Sequence, residues 1–395
     1  MLAACSAQEP EREPEPATAP PADPAGQIDT LRVATFNVSL YRDEPGQLAR
    51  DLAAWTDPQL GAVAAIIGEV SPDILVLNEV DYDEGGDAVG LLRQRLGYRF
   101  GVALPSNTGL ASGVDLDGDG RSDHAPGTRE YGNDAYGYGT HEGQYGIAVL
   151  SRLPLDETGL RTWRETLWRD APGEAPPADH YGEAALNVLR VSSKTHAVLP
   201  VRVPGGPLNL VLAHPTPPGF DGGEDRNGRR NAAEIALIHA IVDPAKRVPA
   251  DDEGRNGGLE RGALFVVAGD LNADPSDGDD YGAMAALLAN PVLVDPQPRA
   301  AGGVAAAAAQ GGANAEQSGD PGLDTADFSD GRVGNLRADY VLPSATLEVV
   351  DAGVFWPPQG AESYELVGSG WPVVSSDHRL VWVDLRLPSL REGGG

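Results

Sequence analysis

The feature that most constrains this chain is a short apolar run that stops abruptly at a polar group, repeated along the sequence. In LFVVAGDLNADP (264–275), apolar residues lead through Gly269 to Asp270, and Asn272 follows before Pro275 closes the turn. Similar runs are LRVATFNV (31–38), DILVLNEV (73–80), YGIAVLS (145–151), AALNVLRV (184–191), LNLVLAH (208–214), RADYVLP (337–343) and HRLVWVDLRL (378–387). Several are apolar on both faces, as strands covered on both sides must be. Helical spacing alternates with them: Leu60, Val63, Ile67 and Val70 in one segment, Ile235, Ile238 and Val242 in another, and a shorter segment closed by Gly97. Strands mixed with surface helices predict a layered α/β domain. No short fixed-period repeat is present.

Composition sets the limits of that domain. The 395 residues suffice for a large core, and 41% hydrophobic content is that of a globular chain. Fifty Gly and 33 Pro predict many long loops. Three stretches interrupt the strand pattern. Residues 105–144 and 156–183 are expected to rim a site. Residues 296–335, with GGVAAAAAQGGANA, read as a low-complexity loop of weak ordering power.

The polar residues at the edges of these runs are the informative ones: Asn37, Glu79, His214, Asp270 and Asn272 where runs end, Asp339 inside RADYVLP, and Asp377 and His378 before the last run. Each alone is an ordinary wet strand end. As a set they offer four carboxylates, two amides and two imidazoles, and if those ends converge they form one pocket on a rigid scaffold. Glu79 and neighbouring oxygens suit a hard divalent cation, Mg2+ or Mn2+. Asp270 can take a proton from an attacking water, Asn272 can donate to a bound oxygen, and a His beside an Asp can be held charged against a negative transition state. This is a kit for phosphoester hydrolysis.

TFNV, LNEV, AHPTPP, GDLNADP, RADYVLP and SSDHRLVWVDL occur in the order seen in the endonuclease/exonuclease/phosphatase superfamily, which the chain resembles from about residue 31 to 387. That superfamily includes pancreatic-type deoxyribonuclease, apurinic endonucleases, neutral sphingomyelinases and inositol polyphosphate 5-phosphatases. The resemblance implies a four-layer α/β sandwich, with two facing, mixed and largely antiparallel sheets flanked by helices over 31–388. It implies Asn37 and Glu79 as the metal-site pair, Asp377 as a further acid either on the metal side or just behind the metal's ligands, and Asp270 as the residue that activates or positions water. Asn272 would orient phosphate, Asp339 would pair with His378, His378 would contact the scissile phosphoryl group, and His214 would lie near it. AHPTPP departs from the common Thr-His-Leu form, and Asn78 stands where Gln is commoner.

Other features bear on substrate and location. Arg226, Arg229 and Arg230 crowd the start of a helix, against its dipole, at a few tenths of a kcal/mol each. They read either as an anion-binding, substrate-contacting cluster or as solvated partners of Glu224 and Asp225. VDLDGDGRSD (114–123) alternates Asp115, Asp117 and Asp119 before Gly120, with Asp123 after it. It reads either as a structural Ca2+ loop or as an acidic turn, because Pro126 stands where an EF-hand has Glu. Net charge is −30, of which −5 lies in residues 1–30. This field opposes polyanions, so a compact phosphoester, expected to be a diester, is favoured over nucleic acid. An extracellular nuclease and a non-catalytic phospho-ligand-binding protein are the alternatives. Cys5 in LAAC resembles a lipobox, followed by a Pro-rich acidic tether through residue 30 that reads as disordered. Export to a bacterial periplasm or cell surface is expected, with membrane attachment only through lipid on Cys5. The chain is expected to be monomeric, with a disordered tail at 389–395.

Overall fold

The apolar runs assemble into two sheets in the computed structural model, which describes residues 30–278, 281–369 and 372–387. Cys5, the tether up to residue 29 and the tail at 389–395 lie outside the described residues. Strands β1 (Thr30–Leu40), β2 (Ile74–Val80), β3 (Phe100–Leu104) and β4 (Gly146–Ser151) share the first sheet with β12 (Glu348–Val354) and β13 (Val381–Arg386), in the order β12-β13-β1-β2-β4-β3. Strands β5 (Arg161–Thr162), β6 (His196–Val203), β7 (Gly206–Ala213), β8 (Leu264–Asp270) and β11 (Asp339–Pro343) form the second, in the order β11-β8-β7-β6-β5. A ribbon of β9 (Ala326–Asp327) and β10 (Asn335–Leu336) stands apart.

Each large sheet has one parallel pair, β1 with β2 and β7 with β8, and its other pairs are antiparallel. A parallel step needs a crossover, and a helix supplies it in each case. Between β1 and β2 it is the helix Pro58–Val70, where Asp57 caps the Gln59 N–H at 2.9 Å and Pro58 occupies the first turn. Between β7 and β8 it is the helix Arg226–Val242.

Side-chain alternation separates two cores. On β8, Val266 and Ala268 join the core shared with the first sheet, while Phe265 and Val267 join the one beneath the helix Arg226–Val242. The same alternation sends Val341 of β11 and Leu208, Leu210 and Leu212 of β7 inward between the sheets, and Tyr340 and Leu342 outward. The result is two large mixed sheets facing each other, with helices on their outer sides.

Three expectations are corrected. Residues 184–191 do not form a strand; Glu183–Val188 is a short helix, in keeping with the helix propensity of its Ala and Leu residues. The low-complexity segment contains a helix, Ala301–Gln310. Its Ala run favours helix, and Gly302 lets it press on Trp356, whose carbonyl oxygen would lie 2.0 Å from an added Cβ. In 156–183, Trp163 and Trp168 are buried in the outer core of the second sheet, with indole N–H groups donating to the carbonyls of Pro249 and Glu174. That segment is therefore largely committed to packing.

Candidate active site

The alternation that builds the inter-sheet core also aims the polar strand ends. Asp270 continues the inward set of Val266 and Ala268, Asp339 that of Val341, and His214 that of Leu208, Leu210 and Leu212. All three reach the space between the sheets at one end of the core, and each is at most 2% exposed. Gly269 permits this packing: a Cβ there would lie 2.0 Å from the Ala213 carbonyl oxygen. On the facing sheet, the pairing of β2 with β4 slips between Asn78 and Val80, and Glu79 at the slip has φ of 60°. The pairing of β1 with β2 slips between Asn37 and Leu40, around Ser39 at φ of 48°. Backbone of this kind in non-glycine residues re-aims side chains at a local cost, and here it borders the polar cluster.

Asp270 is the hub. Its Oδ2 accepts from Asn37 Nδ2 at 3.0 Å and Asn272 Nδ2 at 3.2 Å, and its Oδ1 accepts the Asn272 backbone N–H at 2.9 Å. Its own N–H donates to Asn78 Oδ1 at 3.2 Å. The Nε2 atoms of His214 and His378 lie 3.4 and 3.7 Å from Oδ2. The other ring nitrogen of His378 is 2.8 Å from Asp339 Oδ2, which also accepts from Thr325 Oγ1 at 2.8 Å. On the far side, Asp377 accepts from Ser39 Oγ at 3.1 Å.

Charge follows from these contacts. Burial opposes a charge on His378, but Asp339 and Asp270 outweigh it and hold the imidazole well above its ordinary range. Burial likewise opposes the Asp270 carboxylate, yet His378, His214 and Asn37 keep it ionised far below the usual range. Burial and the nearby Lys194 ammonium push His214 down to about 4, so it is neutral. Burial pushes Glu79 up to about 7, and the charge of Asp377 adds to the rise. The cluster thus pairs an imidazolium and a fixed carboxylate with an acid, Glu79, whose charge His378 and Asn37 compensate only in part.

Several supporting residues carried no sequence signal. The helix Arg226–Val242 buries Asn231 and Glu234 completely. Asn231 Nδ2 donates to the carbonyls of Thr216, Leu271 and Asn272 at 2.9, 3.0 and 3.2 Å. Glu234 accepts from the N–H groups of Ser193 and Thr216 at 2.7 and 2.6 Å and from Ser193 Oγ at 2.8 Å. One helix therefore fixes the loops after β7 and β8. Lys194 is buried, donates to the Pro215 carbonyl at 3.4 Å, and feels the charges of Glu234, Asp270 and Glu79. Arg379 donates to the Ser376 carbonyl at 2.8 Å and to Asp327 at 3.0 Å, bracing the turn that carries His378.

The family profile described as Endonuclease/Exonuclease/phosphatase family matches residues 34–378, a span that holds Asn37, Glu79, His214, Asp270, Asn272, Asp339, Asp377 and His378. The chain belongs to that family. Among solved structures, an endonuclease/exonuclease/phosphatase from Beutenbergia cavernae DSM 12333 is 23% identical, with a TM-score of 0.50 over 91% of this chain and 72% of that one. A sphingomyelinase C from Streptomyces griseocarneus is 18% identical, with a TM-score of 0.44 over 90% of this chain and 99% of that one. Truncated TDP2 of Caenorhabditis elegans is 14% identical, with a TM-score of 0.43 over 91% and 98%. No curated protein matches the chain by sequence.

In this family member, Asp270, Asp339 and His378 place ligand-type atoms within 4.8 Å of one another, but His378 held as an imidazolium has no lone pair to give a metal, which leaves this trio as a hydrogen-bonded charge cluster. The arginine cluster is placed differently from a phosphate-binding patch. Arg230 is buried, with its guanidinium donating to the carbonyls of Val191, Tyr136 and Arg190. Arg226 pairs with Glu224, and Arg229 lies 3.8 Å from Glu174. In the acidic loop, Asp119 faces His124 at 2.9 Å and Asp123 faces Arg121 at 3.0 Å. Asp115 and Asp117 group instead with Asp134, which the sequence reading did not include. The 105–144 excursion reaches the site border: His141 and Gln144 contact the Arg42 carbonyl at 3.0 and 2.8 Å, and Tyr145 packs on Tyr41 beside Glu79.

Proposed function

We propose that the protein hydrolyses a compact phosphoester, a diester by preference, with a divalent cation of the Mg2+ or Mn2+ kind. The observation that carries this reading is the linked set Asp339–His378–Asp270, closed by Asn37, Asn272 and His214 in one buried cluster. A bound phosphoryl group beside His378 would meet an imidazolium donor already oriented by Asp339. Asp270 is held by several donors and is a weak base, so its work is to orient the attacking water and to take its proton only as the new bond forms. Asn272 Nδ2 donates to Asp270 and to the Pro215 carbonyl, both at 3.2 Å, so its work is to brace Asp270, and it reaches a phosphoryl oxygen only by giving up the Pro215 bond.

Glu79, Asp377 and Asn37 would hold the cation. The fit rests on their chemistry: all can offer oxygen donors, and a carboxyl raised to about 7 beside a second acid is one that a cation would return to its ionised form. When bound, such an ion supplies charge neutralisation at the phosphoryl oxygens.

The preference for a small ester rests on charge. The net charge is −30, and in the Arg226–Arg230 cluster Arg230 is taken up by carbonyls and Arg226 by Glu224, so that cluster has little left to track a phosphate backbone. Attachment to a membrane through Cys5, with export, belongs to the same proposal. Among the described residues no helix is long and apolar enough to cross a membrane.

The test compares kcat/KM for bis(p-nitrophenyl) phosphate and plasmid DNA at equal Mg2+ or Mn2+, with Asp270→Asn as control. The small ester should be the better substrate. Asp270→Asn should lose roughly a thousandfold or more in kcat with unchanged folding. Efficient DNA cleavage with no small-ester hydrolysis would make this a nuclease. Full activity in chelator would remove the metal, and full activity of Asp270→Asn would remove the mechanism.

A further inference from the structure

We propose that Asp115, Asp117 and Asp134 form a Ca2+ site that clips together two limbs of the 105–144 excursion, apart from the catalytic cluster. Asp115 and Asp117 lie two residues apart in one loop and Asp134 comes from the returning limb, and each offers an oxygen within 4.8 Å of the others. Two oxygens on opposite sides of one Ca2+ ion are about 4.6–5.2 Å apart, twice the usual Ca–O distance, so a single ion can span this set. The donors are all oxygens, which selects a hard cation, and a loop site with irregular spacing suits Ca2+ better than the strict octahedron of Mg2+.

An independent observation comes from Asp134, which is only 5% exposed. Its Oδ1 accepts the Leu116 N–H at 2.7 Å, but its Oδ2 is buried with no hydrogen-bond partner. His124 Nε2 lies 3.9 Å from that oxygen, beyond hydrogen-bond reach, and 2.9 Å from Asp119. A buried carboxylate oxygen without a partner costs free energy, and here it belongs to a group with two further acids beside it. The remaining partners leave the set in place. Asp115 accepts from the N–H groups of Gly118 and Gly120, and Asp117 accepts from Asp119 N–H and Asn133 Nδ2, each carboxylate oxygen keeping a lone pair for an ion.

The consequence is local order beside the active site. The bridges Ala111 to Ala135 and Thr108 to Gly137 already pair the two limbs, and the C-terminal limb runs on to His141, Gln144 and Tyr145 at the border of Glu79. An ion at Asp115, Asp117 and Asp134 would lock the outer end of that pairing.

The test uses the full chain, stripped with EGTA, returned to saturating Mg2+ and titrated with Ca2+ by calorimetry and by thermal unfolding. Wild type should bind one Ca2+ and gain in Tm, with residues 112–134 becoming resistant to protease. Asp134→Asn should weaken Ca2+ binding by about tenfold or more, while its Ca2+-free Tm stays at or above that of wild type, because a buried charge has gone. Asp117→Asn, at an exposed position, should weaken binding without altering the fold. Glu79→Gln should keep the Ca2+ response. The proposal is overturned if wild type binds no Ca2+ in excess Mg2+, if Asp134→Asn and Asp117→Asn bind as wild type does, or if Glu79→Gln alone abolishes the response.

Discussion

Asp339 stands directly opposite Asp270 across the antiparallel pair of β11 and β8, and His378 reaches both, at 2.8 Å and 3.7 Å. Directly opposed like charges destabilise a strand pair. The imidazolium is therefore structural as well as chemical: it is what allows two buried carboxylates to share one end of one sheet.

That relationship sets a pH dependence. Asp339 is already raised to about 6 by burial, with His378 beside it working in the other direction. His378→Gln removes the cation and should cost about 3 kcal/mol at pH 8. A carboxyl raised in the folded state contributes stability below its ordinary range and loses it as pH climbs through the raised value. The Tm of the variant should therefore rise from pH 8 to pH 5. Adding Asp339→Asn should recover Tm at pH 8 and flatten the profile. A single variant whose Tm is the same at both pH values would contradict the account.

Lys194 lies buried against this cluster, bonded to the Pro215 carbonyl. Its ammonium is the second cause, after burial, of the low pKa of His214. Lys194→Met should move His214 upward from about 4 toward its ordinary value, read from the imidazole signals in an NMR titration. It should also lower kcat/KM by roughly a hundredfold through loss of positive potential at the cluster. An unmoved His214 titration would place Lys194 outside the site's electrostatics.

Gly269→Ala should destabilise the fold by about 3 kcal/mol, because an added Cβ meets the Ala213 carbonyl oxygen at 2.0 Å and cannot be accommodated by a side-chain rotation. Denaturant unfolding checks this. Wild-type stability in the variant would mean that β7 and β8 can separate at that point.

Cys5→Ser tests the anchor. Expressed in a bacterium with its native upstream region, the wild-type chain should partition with membranes and the variant should be soluble. Equal partitioning of both forms would leave Cys5 without a lipid.

Much of the site was legible in the sequence, for a local physical reason. A strand covered on both faces must be apolar throughout, so a carboxylate or imidazole at either edge stands out against the run beside it. That contrast marked Asp270, Asp339, His214, Glu79 and His378, and helical spacing marked the crossover helices. Tertiary structure decided what local contrast cannot carry. Asn231 and Glu234 sit among ordinary polar residues of an amphipathic helix, and only the loops folded against them make their side chains buried clamps. The three neighbouring arginines look alike in sequence, yet one is enclosed by carbonyls because the segment carrying Trp168 folds over it. Asp134 joins Asp115 and Asp117 only when the 105–144 excursion doubles back, a closure that no spacing along the chain encodes. The sequence determined which groups end strands; the closure of loops and the facing of the sheets determined which of them meet.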